Sequence, residues 1–451
     1  MNNSPYVIIG NGIAGITCAR HIRKYNADAP ILVISGESEH FFSRTALMYI
    51  YMGHMKYEHT KPYEDWFWEK NRIHLKRAWI TDINLHQKTI HSSEGELIPF
   101  GTLIIATGSK PFTIGWPGEH LKGVQGLYSL QDLEQMEANT QGIQHAVIVG
   151  GGLIGIEMAE MLQSRHIDVT FLVREKNFWD NVLPEEEAKV INRHIKAHGV
   201  DLRLASELQE ILSDEKGAVR AIRTAAGEEI PCQFVGLTIG VTPNIEFLKN
   251  QPTITTNKGV MVDQFFRTSV PDVYAIGDCA EFIEAPGSHR KNIEQVWYTG
   301  RMHGETLAYN LTHSDPMPYK PGIWFNSAKF FDLEYQTYGW VPNKIPAVLD
   351  TFYWENNEGT VAIRFTYDKT VGTIKGINTI GWRMRHAYFD RAIEEGWLFE
   401  KILSHLDRAN FDAEFSKNYT PQVILAYNKA KNRSLSLPKK GLIRRLLTAF
   451  S

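Results

Sequence analysis

Tyr6-Val-Ile-Ile-Gly10-Asn-Gly12-Ile13-Ala14-Gly15 runs four apolar residues into a glycine-rich turn. Ile16 to Tyr25 then read as a helix, and Ile31 to Ile34 as a second strand. Strand, glycine turn, helix and strand in that order make a Rossmann unit. Each glycine has its own physical role. Gly10 permits the tight turn, Gly12 lets backbone amides approach a pyrophosphate, and Gly15 lets the helix pack close to the sheet. The anion of such a ligand sits on the helix N-terminus, beside Ile13 and Ala14. Glu37, just past the second strand, is the candidate for the ribose hydroxyls. Its distance from Gly15 is slightly long for that role, so Ser35 is the alternative.

The same arrangement returns in Ala146 to Val149, then Gly150-Gly-Gly152-Leu153-Ile154-Gly155, a helix through Met161 and a strand from Val169 to Val173. One glycine pattern is a weak signal, but two in register with their flanking elements are not. The duplication goes further. Gly95-Glu-Leu-Ile-Pro-Phe-Gly-Thr-Leu-Ile-Ile-Ala-Thr-Gly108 aligns without a gap on Gly227-Glu-Glu-Ile-Pro-Cys-Gln-Phe-Val-Gly-Leu-Thr-Ile-Gly240. Each copy is expected to carry a small antiparallel insertion before returning to its own sheet.

Composition narrows the class. The 451 residues carry a formal charge of −3, which gives no reason to expect nucleic-acid binding. Three scattered cysteines, Cys18, Cys232 and Cys279, offer neither a disulfide framework nor a cluster ligand set. The seventeen histidines are read as lacking metal-ligand spacing, and His303 and His386 as structural or surface residues. No apolar run is long enough to span a bilayer. A cytoplasmic protein fits best.

Five motifs in order make the chain resemble the pyridine nucleotide–disulfide oxidoreductase superfamily over residues 5 to 315. They are the two glycine turns (the second with Glu157), Ala106-Thr107-Gly108, Gly240-Val-Thr-Pro-Asn244 and Ala275-Ile-Gly277-Asp278. Within it the chain is similar to the flavin module of assimilatory NAD(P)H nitrite reductases and to rubredoxin and ferredoxin reductases. The resemblance implies an α/β fold of two Rossmann-like dinucleotide-binding domains, glutathione-reductase-like, plus a C-terminal α+β domain. Residues 1–112 and 249–316 would hold FAD, 113–248 NAD(P), and 317–432 would form an interface domain.

The resemblance further implies Asp278 and Gly277 at the ribityl chain, Thr107 and Gly108 closing the FAD domain, and Arg44 beside the isoalloxazine. An aspartate capping a helix that starts at Cys279 is the bland reading of Asp278. Gly240 would belong to the NAD(P) site and Glu157 would touch the nicotinamide amide, Glu157 being the one candidate catalytic side chain, with simple helix placement as its alternative. A lysine that the ferredoxin-reductase branch places near Tyr49 is absent. Where relatives carry a redox cysteine this chain has Thr45, so thiol chemistry at the flavin is not expected. Arg174 and Glu175 mix the signals for NADPH and NADH, with the balance toward NADH.

The implied function is hydride transfer from NAD(P)H to FAD, with electrons passed to a separate iron–sulfur or haem protein. A membrane-docked NADH:quinone dehydrogenase and a nucleotide-sensing assembly protein are the alternatives. A homo-oligomer is compatible with the family. In the C-terminal third, Ala347–Trp354, Thr360–Tyr367 and Gly372–Ile380 alternate as antiparallel strands, followed by a helix to about Glu395. Residues 433–451 are a basic amphipathic tail. On a helix, 439–450 would place lysines and arginines beside an apolar face suited to a peripheral membrane contact or a partner's groove, the alternative being a terminal helix folded back on its own domain.

Overall fold

The computed structural model describes residues 5–437 except 413 and 415, so the expected amphipathic helix at 439–450 lies outside the described residues. Contacts divide the chain into two units. The first comprises residues 1–172 and 206–321, the second 173–205 and 322–451.

In the first unit, Tyr6–Ile9 lies at the centre of a parallel sheet, paired with Thr102–Ile105 on one side and Ile31–Ser35 on the other. Val273–Ala275 and Ile73–Arg77 complete its edges. These strands are nearly all apolar because both faces are covered. Val7, Ile8, Ile34, Leu103, Ile104 and Ile105 have 1% or less of their surface exposed. The helix Ile13–Tyr25 covers one face, and Trp297–Thr312 packs against it. That crossing is close: a Cβ on Gly304 would come within 2.5 Å of the Ala14 carbonyl oxygen.

A second parallel sheet repeats the plan, with His145–Val149 between Asp168–Val173 and Phe234–Leu237, and Val124–Gln125 beyond. The duplicated segments coincide strand for strand. Leu97–Pro99 matches Glu229–Pro231, and Thr102–Ile105 matches Phe234–Leu237. Each copy carries the expected three-stranded antiparallel insertion. The next matched strands, Ser109–Pro111 and Val241–Pro243, pair antiparallel with each other, Lys110 opposite Thr242, so the two copies meet about a local pseudo-twofold axis.

The second unit is built on an antiparallel sheet, in the order Phe325–Phe330, Leu333–Gly339, Ile374–Ile380, Ala362–Asp368, Leu349–Glu355. Helices His386–Glu394, Phe399–Ser404 and Thr420–Lys431 close a core of Phe365, Ile377, Phe389, Phe399 and Ile424. A further helix, Glu185–Ala197, is tied to this sheet through buried Arg364. Its guanidinium donates to Glu187 at 3.1 Å and Glu186 at 2.8 Å, while Asn378 donates to Glu187 at 3.0 Å.

Candidate functional site

The glycines of the first turn differ in what surrounds them. Gly10 has φ +114°, and a Cβ there would lie 2.1 Å from the Ala106 carbonyl oxygen. A Cβ on Gly15 would lie 2.1 Å from the Gly10 carbonyl oxygen. Both positions are closed to any side chain. Gly12 is the opposite: its backbone is extended (φ −70°, ψ −178°) and a Cβ would meet nothing within 4 Å. Glycine at 12 therefore keeps empty space at the mouth of a thirteen-residue helix, as a phosphate held by backbone N–H groups requires. In the second turn, Gly150 (φ +117°) and Gly155 are again hemmed in, while the nearest atom to a Cβ on Gly152 is 4.0 Å away. The two turns also abut the same matched residue, Ala106 for Gly10 and Thr238 for Gly150.

A cavity of about 700 Å³ opens in front of the first turn. Gly10–Ala14, Glu37, Arg44, Ala106–Pro111, Gly277 and Asp278 line it, together with Ile154 and Glu157 from the second Rossmann helix. The expected FAD residues are thus brought together. Their charges form one network. Arg44 donates to both carboxylate oxygens of Glu37 at 2.7 Å and to the Tyr128 carbonyl at 2.6 Å, and stacks 4.4 Å over the Tyr128 ring. Glu37 also accepts from the Leu130 backbone N–H at 2.9 Å, so much of its acceptor capacity is already used. Asp278 accepts from Ser109 Oγ and from the Tyr128 hydroxyl, each at 3.2 Å, while burial raises its pKa.

Tyr128, Ser109 and Gln295, which donates to Ser109 Oγ at 2.9 Å, are not marked by any of the sequence motifs. One signal is legible: Ser129-x-x-Asp132 is a capping box that starts a helix and fixes Tyr128 beside it. Asp278 caps no helix, contrary to the bland alternative, and Cys279 does not begin one. Gly277–Cys279 form a single 3₁₀ turn, with Gly277 at φ +74°, that passes directly into the strand Ala280–Phe282.

Glu157 is half-buried on the cavity wall, and its pKa is pushed up to about 7, mainly by burial and secondarily by Glu160. No lysine offsets this: Lys110, the cavity's lysine, is paired with Glu246 at 2.7 Å. Thr45 is exposed on the wall, its hydroxyl 3.2 Å from that of Ser43. All three cysteines are buried and reduced, none lines the cavity, and burial raises the pKa of each. His303 is structural. It accepts from the Gly277 N–H at 3.1 Å and is fully buried, which lowers its pKa. Beyond the second strand, Arg174 and Glu175 pair with each other at 2.9 Å. Gly240 (φ +126°) has open space around its Cβ position and follows the strand Phe234–Leu237.

Contrary to expectation, two of the histidines do have ligand-like spacing. His194 and His198 stand four apart on the helix Glu185–Ala197 and its C-terminal cap, and Asp332 meets both. The i, i+4 histidine pair stands in the sequence, His194-Ile-Lys-Ala-His198, and only the aspartate is too remote there to be joined to it.

Two duplicated Rossmann units, each with an unobstructed second glycine and both contributing to one cavity, define a two-dinucleotide-binding fold. The pyridine nucleotide-disulphide oxidoreductase family model matches residues 4–304, and the chain belongs to that family, whose cofactors are FAD and NAD(P)H. It is 30% identical over 339 residues to a 5,5′-dehydrodivanillate O-demethylase ferredoxin reductase subunit from a Sphingobium species, covering 74% of this chain and 81% of that one. It is 28% identical over 284 residues to a nitrite reductase [NAD(P)H] from Bacillus subtilis, covering 62% of this chain and 35% of that one. The chain spans 35% to 63% of the lengths of several curated relatives that it matches. Among solved structures, a ferredoxin reductase from Rhodopseudomonas palustris superposes with a TM-score of 0.75 at 22% identity, covering 91% of this chain and 98% of that one. No helix among the described residues is long and apolar enough to cross a membrane.

Proposed function

We propose that this chain takes hydride from NAD(P)H onto FAD and passes electrons to a separate iron–sulfur or haem protein. The observation that carries the proposal is the convergence of both glycine-turn units on one cavity that contains no thiol. Residues 1–112 with 249–316 hold FAD, residues 113–248 hold the pyridine nucleotide, and 317–432 form an interface domain. When bound, FAD would supply the redox chemistry that links a hydride donor to a one-electron acceptor.

The chain's own residues bind and orient. The amides after Gly12 and Gly152 receive the two pyrophosphates, Ile13, Ala14, Leu153 and Ile154 forming the helix mouths. Asp278, steadied by Ser109 and Tyr128, would hold the ribityl chain. Arg44 keeps positive charge at the cavity wall near Thr107 and Gly108, its own charge form favoured by Glu37. Glu37 keeps at most a minor share of ribose binding beside its bond to Arg44. Glu157, protonated about half the time near pH 7, can donate to a nicotinamide carboxamide oxygen. Gly240 lets the nicotinamide approach the backbone, and Glu175 favours a free ribose 2′-hydroxyl over a phosphate, hence NADH.

A ferredoxin-type acceptor is supported by the name of the Sphingobium relative, which covers most of both chains. The test is rapid mixing of the FAD-loaded chain with NADH, then with a ferredoxin or rubredoxin. Fast flavin bleaching followed by fast reoxidation by the carrier is expected. Bleaching with reoxidation only by quinone in liposomes would move the assignment to a membrane-surface dehydrogenase, with 439–450 as the contact.

A further inference from the structure

The second unit contains a side-chain cluster unrelated to nucleotide binding. His194 and His198 lie one helical turn apart, on one face, at the end of the helix Glu185–Ala197. Their Nε2 atoms stand 2.8 and 3.1 Å from the same oxygen of Asp332, and the three ligand atoms all lie within 4.8 Å of one another. In a tetrahedral zinc site with bonds near 2.0 Å, ligand atoms are roughly 3.3 Å apart. The two histidine–aspartate spacings need only a small expansion to reach it.

Two further observations bear on how the donors are presented. The Nδ1 of His198 donates to the His194 carbonyl at 2.9 Å, which turns its Nε2 toward Asp332 at 3.1 Å. The Nε2 of His194 is buried and makes no hydrogen bond of acceptable geometry, although Asp332 is at 2.8 Å.

The aspartate is delivered by an unusual turn. Phe330 and Leu333 pair across a hairpin whose two linking residues are Phe331 and Asp332. Phe331 adopts φ +57°, where glycine or asparagine is the usual choice. The Phe331 ring stacks on His198 at 4.5 Å and 8°, anchoring the turn against the histidines.

We propose that His194, His198 and Asp332 form a binding site for a divalent transition cation, with zinc the preferred ion. Two imidazoles and one carboxylate suit zinc and other late first-row ions and discriminate against magnesium, which prefers oxygen ligands. The fourth position is left to water. The metal would clip the helix to the hairpin inside the second unit.

The test uses the full chain, free of any affinity tag, stripped with chelator and dialysed against zinc. One zinc per chain by elemental analysis and a zinc-dependent rise in melting temperature are expected, with magnesium giving neither. Asp332→Asn and the double variant His194→Gln/His198→Gln should weaken zinc binding by more than the roughly 10–100-fold that loss of an outer-shell partner costs. Their bound flavin should still bleach with NADH, which reports that they are folded. Substoichiometric zinc in the unaltered chain, or equal zinc in the double variant, overturns the proposal. So does a third outcome: Asp332→Asn lowers the melting temperature only below about pH 6 and zinc changes nothing, which would make the cluster a protonated-histidine ion pair.

Discussion

Gly12→Ala separates ligand binding from folding, because Gly12 is the one glycine of its turn whose Cβ position is empty. At φ −70° alanine is unstrained. Replacing glycine where the backbone is compatible stabilises a protein by ~0.4–1 kcal/mol through the unfolded chain, so the apoprotein should melt no lower than the parent. Affinity should move the other way. The methyl group occupies the gap through which a pyrophosphate reaches the amides, and a lost hydrogen bond to a charged group is worth about 1.5–3 kcal/mol. At 1.4 kcal/mol per decade that is roughly a 10- to 150-fold rise in the FAD dissociation constant. Gly15→Ala is the control. Its methyl group would sit 2.1 Å from the Gly10 carbonyl oxygen, a rigid backbone atom. Overpacking of this kind costs ~1–3 kcal/mol, so this variant should melt lower even without flavin. Apoprotein melting curves and FAD titration of the stripped proteins measure both effects. The reasoning is refuted if Gly12→Ala binds FAD as tightly as the parent, or if both variants lose stability equally.

Gly152→Ala should act in the same way on the second ligand alone, weakening NAD(P)H while leaving the flavin spectrum unchanged; equal loss of both ligands in equilibrium titrations would contradict the assignment. Because burial raises the Glu157 pKa to about 7 from an ordinary 4.5, the folded chain binds the extra proton over that interval. Its contribution is therefore present in full below about pH 4.5 and is lost as pH rises through 7. Glu157→Gln should abolish an inflection near pH 7 in the NADH dissociation constant, as measured by flavin quenching from pH 5 to about 9. A thiol-specific reagent should find no fast-reacting cysteine in the native chain and one in Thr45→Cys, read as stoichiometric colour release before and after unfolding. Arg364→Met strands the Glu187 carboxylate, which is 1% exposed, and should cost about 3–5 kcal/mol in denaturant unfolding, whereas an additional Glu187→Leu change should restore much of it.

The legible parts of the chain are those where one residue type is dictated by contacts with backbone. Gly10, Gly15, Gly150 and Gly155 abut carbonyl oxygens, and the matched segments 95–108 and 227–240 repeat because each closes the same kind of sheet. The three C-terminal strands are visible through alternation, their observed bounds Leu349–Glu355, Ala362–Asp368 and Ile374–Ile380 shifting by up to two residues. The hairpin Phe325–Phe330 and Leu333–Gly339 leaves no such mark, since its link is Phe331-Asp332 where the usual signal is Asn-Gly. Nor does the Tyr128–Asp278 contact, which joins residues 150 positions apart. Side-chain networks of that span leave no periodicity to read.

The antiparallel pairing of Ser109–Pro111 with Val241–Pro243 accounts for both copies contributing to one cavity. Each strand directly follows the glycine that closes its own copy, Gly108 or Gly240, both with φ above zero. Joining the copies there brings the ends of both parallel sheets to one seam, and ligands of such sheets bind beyond the strand ends. The first copy supplies Gly10–Ala14 to the cavity and the second supplies Ile154 and Glu157. Two similar nucleotides held by equivalent turns about a local twofold would then project their reactive ends toward each other. Lys110→Pro removes a ladder donor opposite Thr242 and tests this directly: hydride transfer should slow while each nucleotide's own affinity changes little. Unchanged transfer with the pairing broken would mean that the seam does not set the approach of the two rings.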